Sequence, residues 1–108
     1  MEFMNQLSEL LDKLNPETRN QILAVIDVYL PRIVAIDKLP GWGKGILVPI
    51  IANAFLHQII DVLNDSEYDN KVSRTVALNW TRRLFGLTDW EPAWLYLPFQ
   101  QPPPPPVK

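Results

Sequence analysis

The longest apolar stretch of the sequence, residues 46–63, constrains the fold more than any other feature. It reads ILVPIIANAFLHQIIDVL, and Asn53, His57 and Asp61 stand four residues apart within it. On a helix, these three side chains form one narrow polar line, while nearly the whole remaining circumference is apolar. A helix with this pattern is surrounded by other elements on most sides. We therefore expect it to be the central helix of the fold, with apolar residues such as Leu56 buried.

Two helices are predicted before this stretch. Residues 3–14 carry apolar side chains at the spacing of one helical face. A second helix begins after Asn15, whose side chain can cap it, because Pro16 is tolerated at the first helical position. Its apolar positions continue to about residue 36. Pro31 removes one backbone hydrogen bond from this helix, so we predict a kink or a break there.

A glycine-rich segment, LPGWGKG at residues 39–45, precedes the apolar stretch. Its proline and three glycines disfavour a helix, so we predict a turn that carries Trp42 and Lys44. The third helix then extends from about residue 46 to residue 63, with Pro49 in its first turn, where proline is tolerated. The turn does not match a phosphate-binding loop, because it follows a helix and has glycine where the magnesium-binding hydroxyl would stand.

A fourth helix is predicted from about Ser66 to Phe85. Ser66 and Asp69 have the spacing of a capping box, and Gly86 is a natural helix terminator. Four side chains at strict four-residue spacing form its predicted core face: Val72, Val76, Trp80 and Leu84. No strand-like alternation appears in the sequence. The chain is therefore predicted to be all-α, a compact bundle of about four main helices.

The C-terminal part of the chain is rich in aromatic residues and then in proline. A short helical turn is predicted around Trp90 and Trp94. Five successive prolines follow in FQQPPPPPVK, and they favour an extended polyproline II segment. We expect residues 1–99 to form the helical domain and residues 100–108 to form a proline-rich tail.

Composition excludes several functions. The chain has 108 residues, a formal charge of −2 and no cysteine. Without cysteine there are no disulfides, thiolate metal sites or thiol nucleophiles, and no cofactor or metal site is predicted. The acidic balance gives no general attraction to nucleic acid, and the basic residues 71–83 follow the macrodipole of the fourth helix. No signal peptide is evident, so we expect a cytoplasmic location.

The function that this pattern favours is a small non-enzymatic interaction module, either an adaptor or a regulatory protein. Exposed Trp and Tyr side chains are common anchors of interfaces, and PxxPxK segments dock in aromatic grooves of the SH3 type. The aromatic residues have a second interpretation, in which they close the end of the helical core. The expected partner is a protein, which includes a second copy of the chain. The predicted partner-binding residues are Trp90, Trp94, Tyr96, Phe99, Pro103, Pro106 and Lys108.

Two other functions are weaker alternatives. The first is a peripheral membrane protein that uses the Trp42 and Lys44 loop together with the apolar third helix. A membrane-spanning role is disfavoured, because a central aspartate such as Asp61 costs about 2.5 to 3.5 kcal/mol in a bilayer. The second is a small acid–base enzyme in which Asp61 orients His57. Because no third group or nucleophile is evident, no catalytic residue is predicted.

Overall fold

The computed structural model describes residues 8, 9 and 11–98 of the chain. Within this part there are four helices and no strand. Residues 8, 9 and 11–13 are helical and belong to the first helix, α1. The other three are α2 (Pro16–Asp37), α3 (Gly41–Asp65) and α4 (Lys71–Phe85). The predicted all-α fold is confirmed.

The helix α2 begins where the sequence predicts. The side chain of Asn15 accepts the N–H of Thr18 at 2.8 Å, and Pro16 occupies the first turn. Its inner face is formed by buried residues that include Ile22 and Tyr29. The helix continues through Pro31 to its end, so of the predicted kink or break the break is wrong. Pro31 lies on the exposed side of α2, where water can satisfy the carbonyl that loses its intrahelical bond.

The helix α3 begins earlier than predicted. It includes residues 41–45, so the predicted turn that carries Trp42 and Lys44 is in fact the start of the helix. Pro40 is its N-cap, and the carbonyl of Pro40 accepts the N–H of Lys44 at 3.1 Å. The glycines cost about 1 kcal/mol each relative to alanine, an amount that packing of the rest of α3 outweighs. Pro49 consequently lies in the third turn and not in the first.

The helix α4 begins later than predicted, at Lys71. Its capping box pairs Asn70 with Ser73: the Ser73 N–H donates to Asn70 Oδ1 at 2.9 Å, and the Asn70 N–H donates to Ser73 Oγ at 3.0 Å. The predicted cap at Ser66 is therefore wrong, because α3 continues to residue 65. Gly86 ends α4 in the left-handed conformation, with φ of 69°, as predicted.

The predicted core face of α4 is only partly correct. Trp80 is fully buried, but Val72 is 72% exposed. Four residues advance a helix by about 400°, so side chains at strict four-residue spacing drift around it by about 40° per step. After three such steps, Val72 and Leu84 point in clearly different directions around the helix, so they cannot both face the core. The observed buried face is Ser73, Arg74, Ala77, Leu78, Trp80, Thr81 and Phe85.

The C-terminal half of α3 lies at the centre of the fold, as predicted. Leu56 and Ile60 have no exposed surface. Phe55 packs edge-to-face against Tyr29 of α2, with ring centroids 5.3 Å apart. It also packs against Phe85 of α4, with centroids 5.8 Å apart. The core is therefore built from both neighbouring helices around this half of α3.

The N-terminal half of α3 is different, because several of its apolar side chains face solvent. Trp42, Ile46 and Ile50 are 77%, 60% and 61% exposed. The expectation that α3 is surrounded on most sides therefore fails for this half. By length and composition α3 could cross a membrane, with a mean hydropathy of 1.9 in its most apolar window, but a core helix of a soluble protein passes the same test.

Candidate functional site

A two-point ion pair between Asp69 and Arg74 organises the start of α4. Arg74 Nε lies 2.6 Å from Asp69 Oδ1, and Arg74 Nη2 lies 2.7 Å from Asp69 Oδ2. Asp69 directly precedes the N-cap Asn70, and Arg74 follows one turn later on the buried face of the helix. Each carboxylate oxygen thus accepts one N–H of the planar guanidinium, which is the strongest geometry for this pair.

The same guanidinium holds the C-terminal segment in place. Arg74 Nη1 donates to the carbonyl of Leu95 at 2.7 Å and to that of Leu97 at 2.6 Å. The hydrogen bond to Asp69 raises the pKa of Arg74 above its ordinary value, while burial acts in the opposite direction. Arginine is charged at every pH at which proteins are handled, so this anchor does not depend on pH through Arg74.

The C-terminal segment itself forms the predicted turn. The N–H of Leu95 donates to the carbonyl of Pro92, and the N–H of Leu97 donates to that of Trp94, both at 3.1 Å. The side chain of Leu95 is fully buried. The backbone of this turn is therefore fixed by its own hydrogen bonds, by the burial of the Leu95 side chain and by the hydrogen bonds from Arg74 of α4.

Two large side chains of this fixed turn remain exposed: Tyr96 at 43% and Leu97 at 58%. The hydroxyl of Tyr96 lies 2.8 Å from Thr75 Oγ1, and Lys71 Nζ lies 5.9 Å from the centroid of the tyrosine ring. Lys71, Tyr96 and Leu97 border an open groove of about 670 Å³. The residues that line it are Asp69, Asn70, Lys71, Arg74, Tyr96, Leu97 and Pro98.

A second groove adjoins the first along α4 and is also lined by Glu9 and Lys13 of α1. Lys71 lines both grooves, and the exposed Val72 lines the second, whose volume is about 380 Å³. One patch thus combines a lysine with exposed apolar side chains on either side of it. We call the residues Lys71, Val72, Tyr96 and Leu97 the α4 surface.

The aromatic residue Trp94 has a holding role. Its indole Nε1–H donates to Asn53 Oδ1 of α3 at 2.8 Å. Its ring also lies edge-on against the ring of His57, with centroids 5.2 Å apart and planes at 68°. Trp94 therefore contacts two residues of the polar line on α3, Asn53 and His57. This arrangement supports the interpretation in which the ring closes the end of the core.

Trp90 is also half-buried and is held through its backbone. Its carbonyl accepts a hydrogen bond from Arg82 Nε at 2.8 Å. Arg82 Nη2 also lies 3.9 Å from Glu91 Oε1. The sequence places Arg82 among the basic residues 71–83 that follow the macrodipole of α4, and in the structure it also fixes the beginning of the C-terminal segment.

Three of the predicted partner-binding residues, Trp90, Trp94 and Tyr96, therefore lie in one segment but differ in exposure. The other four, Phe99, Pro103, Pro106 and Lys108, are outside the residues that the structure describes. The sequence interpretation missed the role of Arg74, which it assigned to the same basic cluster. The position of Arg74 could have revealed this role. Arg74 lies three and four residues before the buried Ala77 and Leu78, so all three residues are on the same face of α4.

Metal chemistry finds no support in the part of the chain that the structure describes, since no three His, Asp or Glu side chains are grouped to hold an ion there. Comparisons with known protein families, curated proteins and solved structures find no match to this chain.

Proposed function

We propose that the chain is a non-enzymatic protein-interaction module, an adaptor or a regulatory protein, that binds a partner through the α4 surface and the adjoining proline-rich tail. The observation that carries this proposal is the exposure of Tyr96 and Leu97 on a backbone that Arg74 pins through two carbonyl hydrogen bonds. Apolar and aromatic side chains presented on fixed backbone are suited to binding.

The energetic reason is the cost of ordering. A binding loop that is mobile before association loses conformational freedom when it binds, and this loss subtracts from the affinity. The turn at Leu95 and Leu97 is already ordered by Arg74, so this cost is small. Tyrosine also supplies a large contact area with few rotatable bonds, which is why it is common at the centres of interfaces.

The charge of the α4 surface indicates which kind of partner segment it can bind. Lys71 contributes a positive charge beside Tyr96, and the carboxylate of Asp69 is engaged by Arg74. Glu9 and Lys13, which also line the second groove, carry opposite charges. An exposed apolar surface next to a lysine fits a segment that carries an apolar side chain beside an acidic one. We assign contact with the partner to Tyr96 and Leu97, and we assign Trp90 and Trp94 mainly to holding the turn.

The tail extends the same surface in sequence, because residues 99–108 follow directly after Pro98 in the first groove. A polyproline segment is stiff and docks with little loss of entropy. The proposed contribution of Pro103, Pro106 and Lys108 is therefore a second contact with the same partner, which would raise the affinity through a high effective concentration.

The test is site-specific photocrosslinking in native lysate. A benzophenone amino acid replaces Leu97 in the full chain, and the control chain carries it at Val28, an exposed position on α2. We expect a defined crosslinked protein from position 97 that is absent from position 28 and is lost when Tyr96→Ser is added. Identical crosslinks from both positions, or crosslinks unaffected by Tyr96→Ser, would contradict the proposal.

A further inference from the structure

A second exposed apolar surface, separate from the α4 surface, lies where α3 begins. Trp42, Ile46 and Ile50 are spaced by four residues and lie on one side of α3. All three are well over half exposed. We call these three residues the Trp42 stripe.

The protein itself covers the continuation of this stripe. Asn53 and His57 follow on the same side of α3, and Trp94 packs over both of them. Among the described residues nothing comparable lies over Trp42, whose exposed fraction is the largest of any exposed large hydrophobic side chain there. Exposed apolar side chains grouped on one side of a helix form a candidate site of association.

The charge around the Trp42 stripe indicates what covers it. Residues 37–60 contain two lysines, Lys38 and Lys44, and one acidic residue, Asp37, at the end of α2. Within α3 the acidic side chains are confined to the opposite end, at Asp61 and Asp65. A tryptophan beside isoleucines, with two lysines against one carboxylate, is a composition suited to the interface of an anionic bilayer.

We propose that the Trp42 stripe docks on the surface of an anionic lipid bilayer. This inference is independent of the proposed protein partner, which binds at the α4 surface. It concerns attachment and not spanning, because the second half of α3 is already packed inside the protein at Phe55, Leu56 and Ile60.

The positions of the two lysines fix the orientation of docking. Lys38 lies in the turn before α3, and Lys44 is two residues past Trp42 and therefore on another side of the helix. Both can reach lipid headgroups only when the turn between α2 and α3 approaches the bilayer first, with α3 inclined. Trp42 then enters deepest, Ile46 less deeply and Ile50 least, while the lysine ammonium groups stay among the phosphates.

The proposal is tested by flotation of the full chain with vesicles of phosphatidylcholine, with and without phosphatidylglycerol. We expect flotation with the anionic vesicles that falls as salt is raised. The triple variant Trp42→Gln, Ile46→Gln, Ile50→Gln should lose binding by about tenfold or more, because insertion of apolar surface drives interfacial attachment. The double variant Lys38→Gln, Lys44→Gln should reduce binding to the vesicles that contain phosphatidylglycerol and should not change binding to pure phosphatidylcholine vesicles.

Matched variants separate this result from loss of folding and from the protein partner. Val72→Gln changes an equally exposed apolar residue on α4 and should float as the unaltered chain does. Tyr96→Ser with Leu97→Ser should also float normally, so failure of the proposed function leaves this result intact. Far-ultraviolet circular dichroism of the triple variant should be unchanged, because its three positions are exposed.

Depth is measured with spin labels at residues 42, 46 and 50, and the accessibility of each label to oxygen should fall in that order. The proposal is overturned if the unaltered chain fails to float, or if the triple variant floats equally well. It is also overturned if sedimentation shows a dimer that the triple variant abolishes while vesicles have no effect, since the stripe would then bind a second copy of the chain.

Discussion

Arg74 and Asp69 form a two-point ion pair that connects the start of α4 to the C-terminal turn of the protein. Their side chains are only 9% and 11% exposed, and the guanidinium also satisfies the carbonyls of Leu95 and Leu97. Four hydrogen bonds therefore converge on one side chain. Its position explains how a turn without regular secondary structure can present Tyr96 and Leu97 in a fixed arrangement.

The first prediction concerns this ion pair. Arg74→Met keeps most of the length of the side chain but leaves Asp69 and two carbonyls without their donor. Removal of one partner of a buried pair should lower the free energy of unfolding by about 3 to 5 kcal/mol, as measured by urea denaturation. The stability of Arg74→Lys should lie between that of the unaltered chain and that of Arg74→Met, because an ammonium group keeps the charge but cannot make the paired contacts. A loss below about 1 kcal/mol for Arg74→Met would show that the pair contributes little.

The second prediction distinguishes the observed cap of α4 from the cap that the sequence suggests. Asn70→Ala removes the acceptor for the Ser73 N–H and should cost about 1 kcal/mol. Ser66→Ala should cost less than about 0.5 kcal/mol, because Ser66 is the C-cap of α3 only through its backbone N–H, which alanine keeps. Thermal denaturation of the two variants under the same conditions compares them directly. The reverse order of stabilities would mean that α4 begins at Ser66 in solution.

Local chemistry in the sequence was sufficient to predict several elements. Asn15 followed by Pro16 marks the beginning of α2, and Gly86 marks the end of α4, because caps and terminators act through neighbouring backbone groups. The burial of Leu56 and Ile60 follows from the apolar pattern of α3. Such features need no knowledge of the rest of the fold.

Other features depend on packing between distant segments and could not be predicted in this way. The start of α3 was missed because the helical cost of its glycines is local, whereas the packing that offsets this cost comes from other helices. The Arg74 site was missed because its acceptors, Leu95 and Leu97, lie more than twenty residues away in sequence. Exposure of the Trp42 stripe was missed because the apolar pattern does not say which half of α3 the other helices cover.

The third prediction concerns the core around α3. Leu56→Ala should lower the free energy of unfolding by about 2 to 5 kcal/mol, because a fully buried leucine leaves a cavity when it is truncated. Ile50→Ala is the matched control on the same helix and should cost less than about 1 kcal/mol, because Ile50 is mostly exposed. Chemical denaturation measures both. Equal losses would contradict the exposure of the first half of α3.

The fourth prediction separates the holding role of Trp94 from direct contact with a partner. Trp94→Phe keeps an aromatic ring against His57 but loses the hydrogen bond to Asn53, so it should cost about 1 kcal/mol. Trp94→Ala should cost about 2 kcal/mol or more, since a half-buried ring is lost as well. Calorimetry gives the melting temperatures. If Trp94→Ala melted like the unaltered chain yet lost its crosslinks at position 97, Trp94 would be an anchor for the partner instead.

The last prediction concerns the separation of folding from binding at Phe99. A chain that ends at Phe99 lacks the five prolines, which have no backbone N–H to donate and should add little to a helical core. Its melting temperature should therefore lie close to that of the full chain. Capture of the partner should weaken, because the tail provides a stiff second contact that docks with little entropic cost.

A graded control makes this result specific to the tail motif. In the full chain, Pro103→Ala with Pro106→Ala and Lys108→Ala should weaken capture as truncation does, while Gln100→Ala with Gln101→Ala should not. Binding is compared by titration of the partner identified through the crosslinks at position 97. Undiminished binding by the chain ending at Phe99 would assign the whole interface to Tyr96 and Leu97. A large fall in its melting temperature would instead mean that residues 100–108 stabilise the helices, because only a segment packed on the folded protein can shift its unfolding.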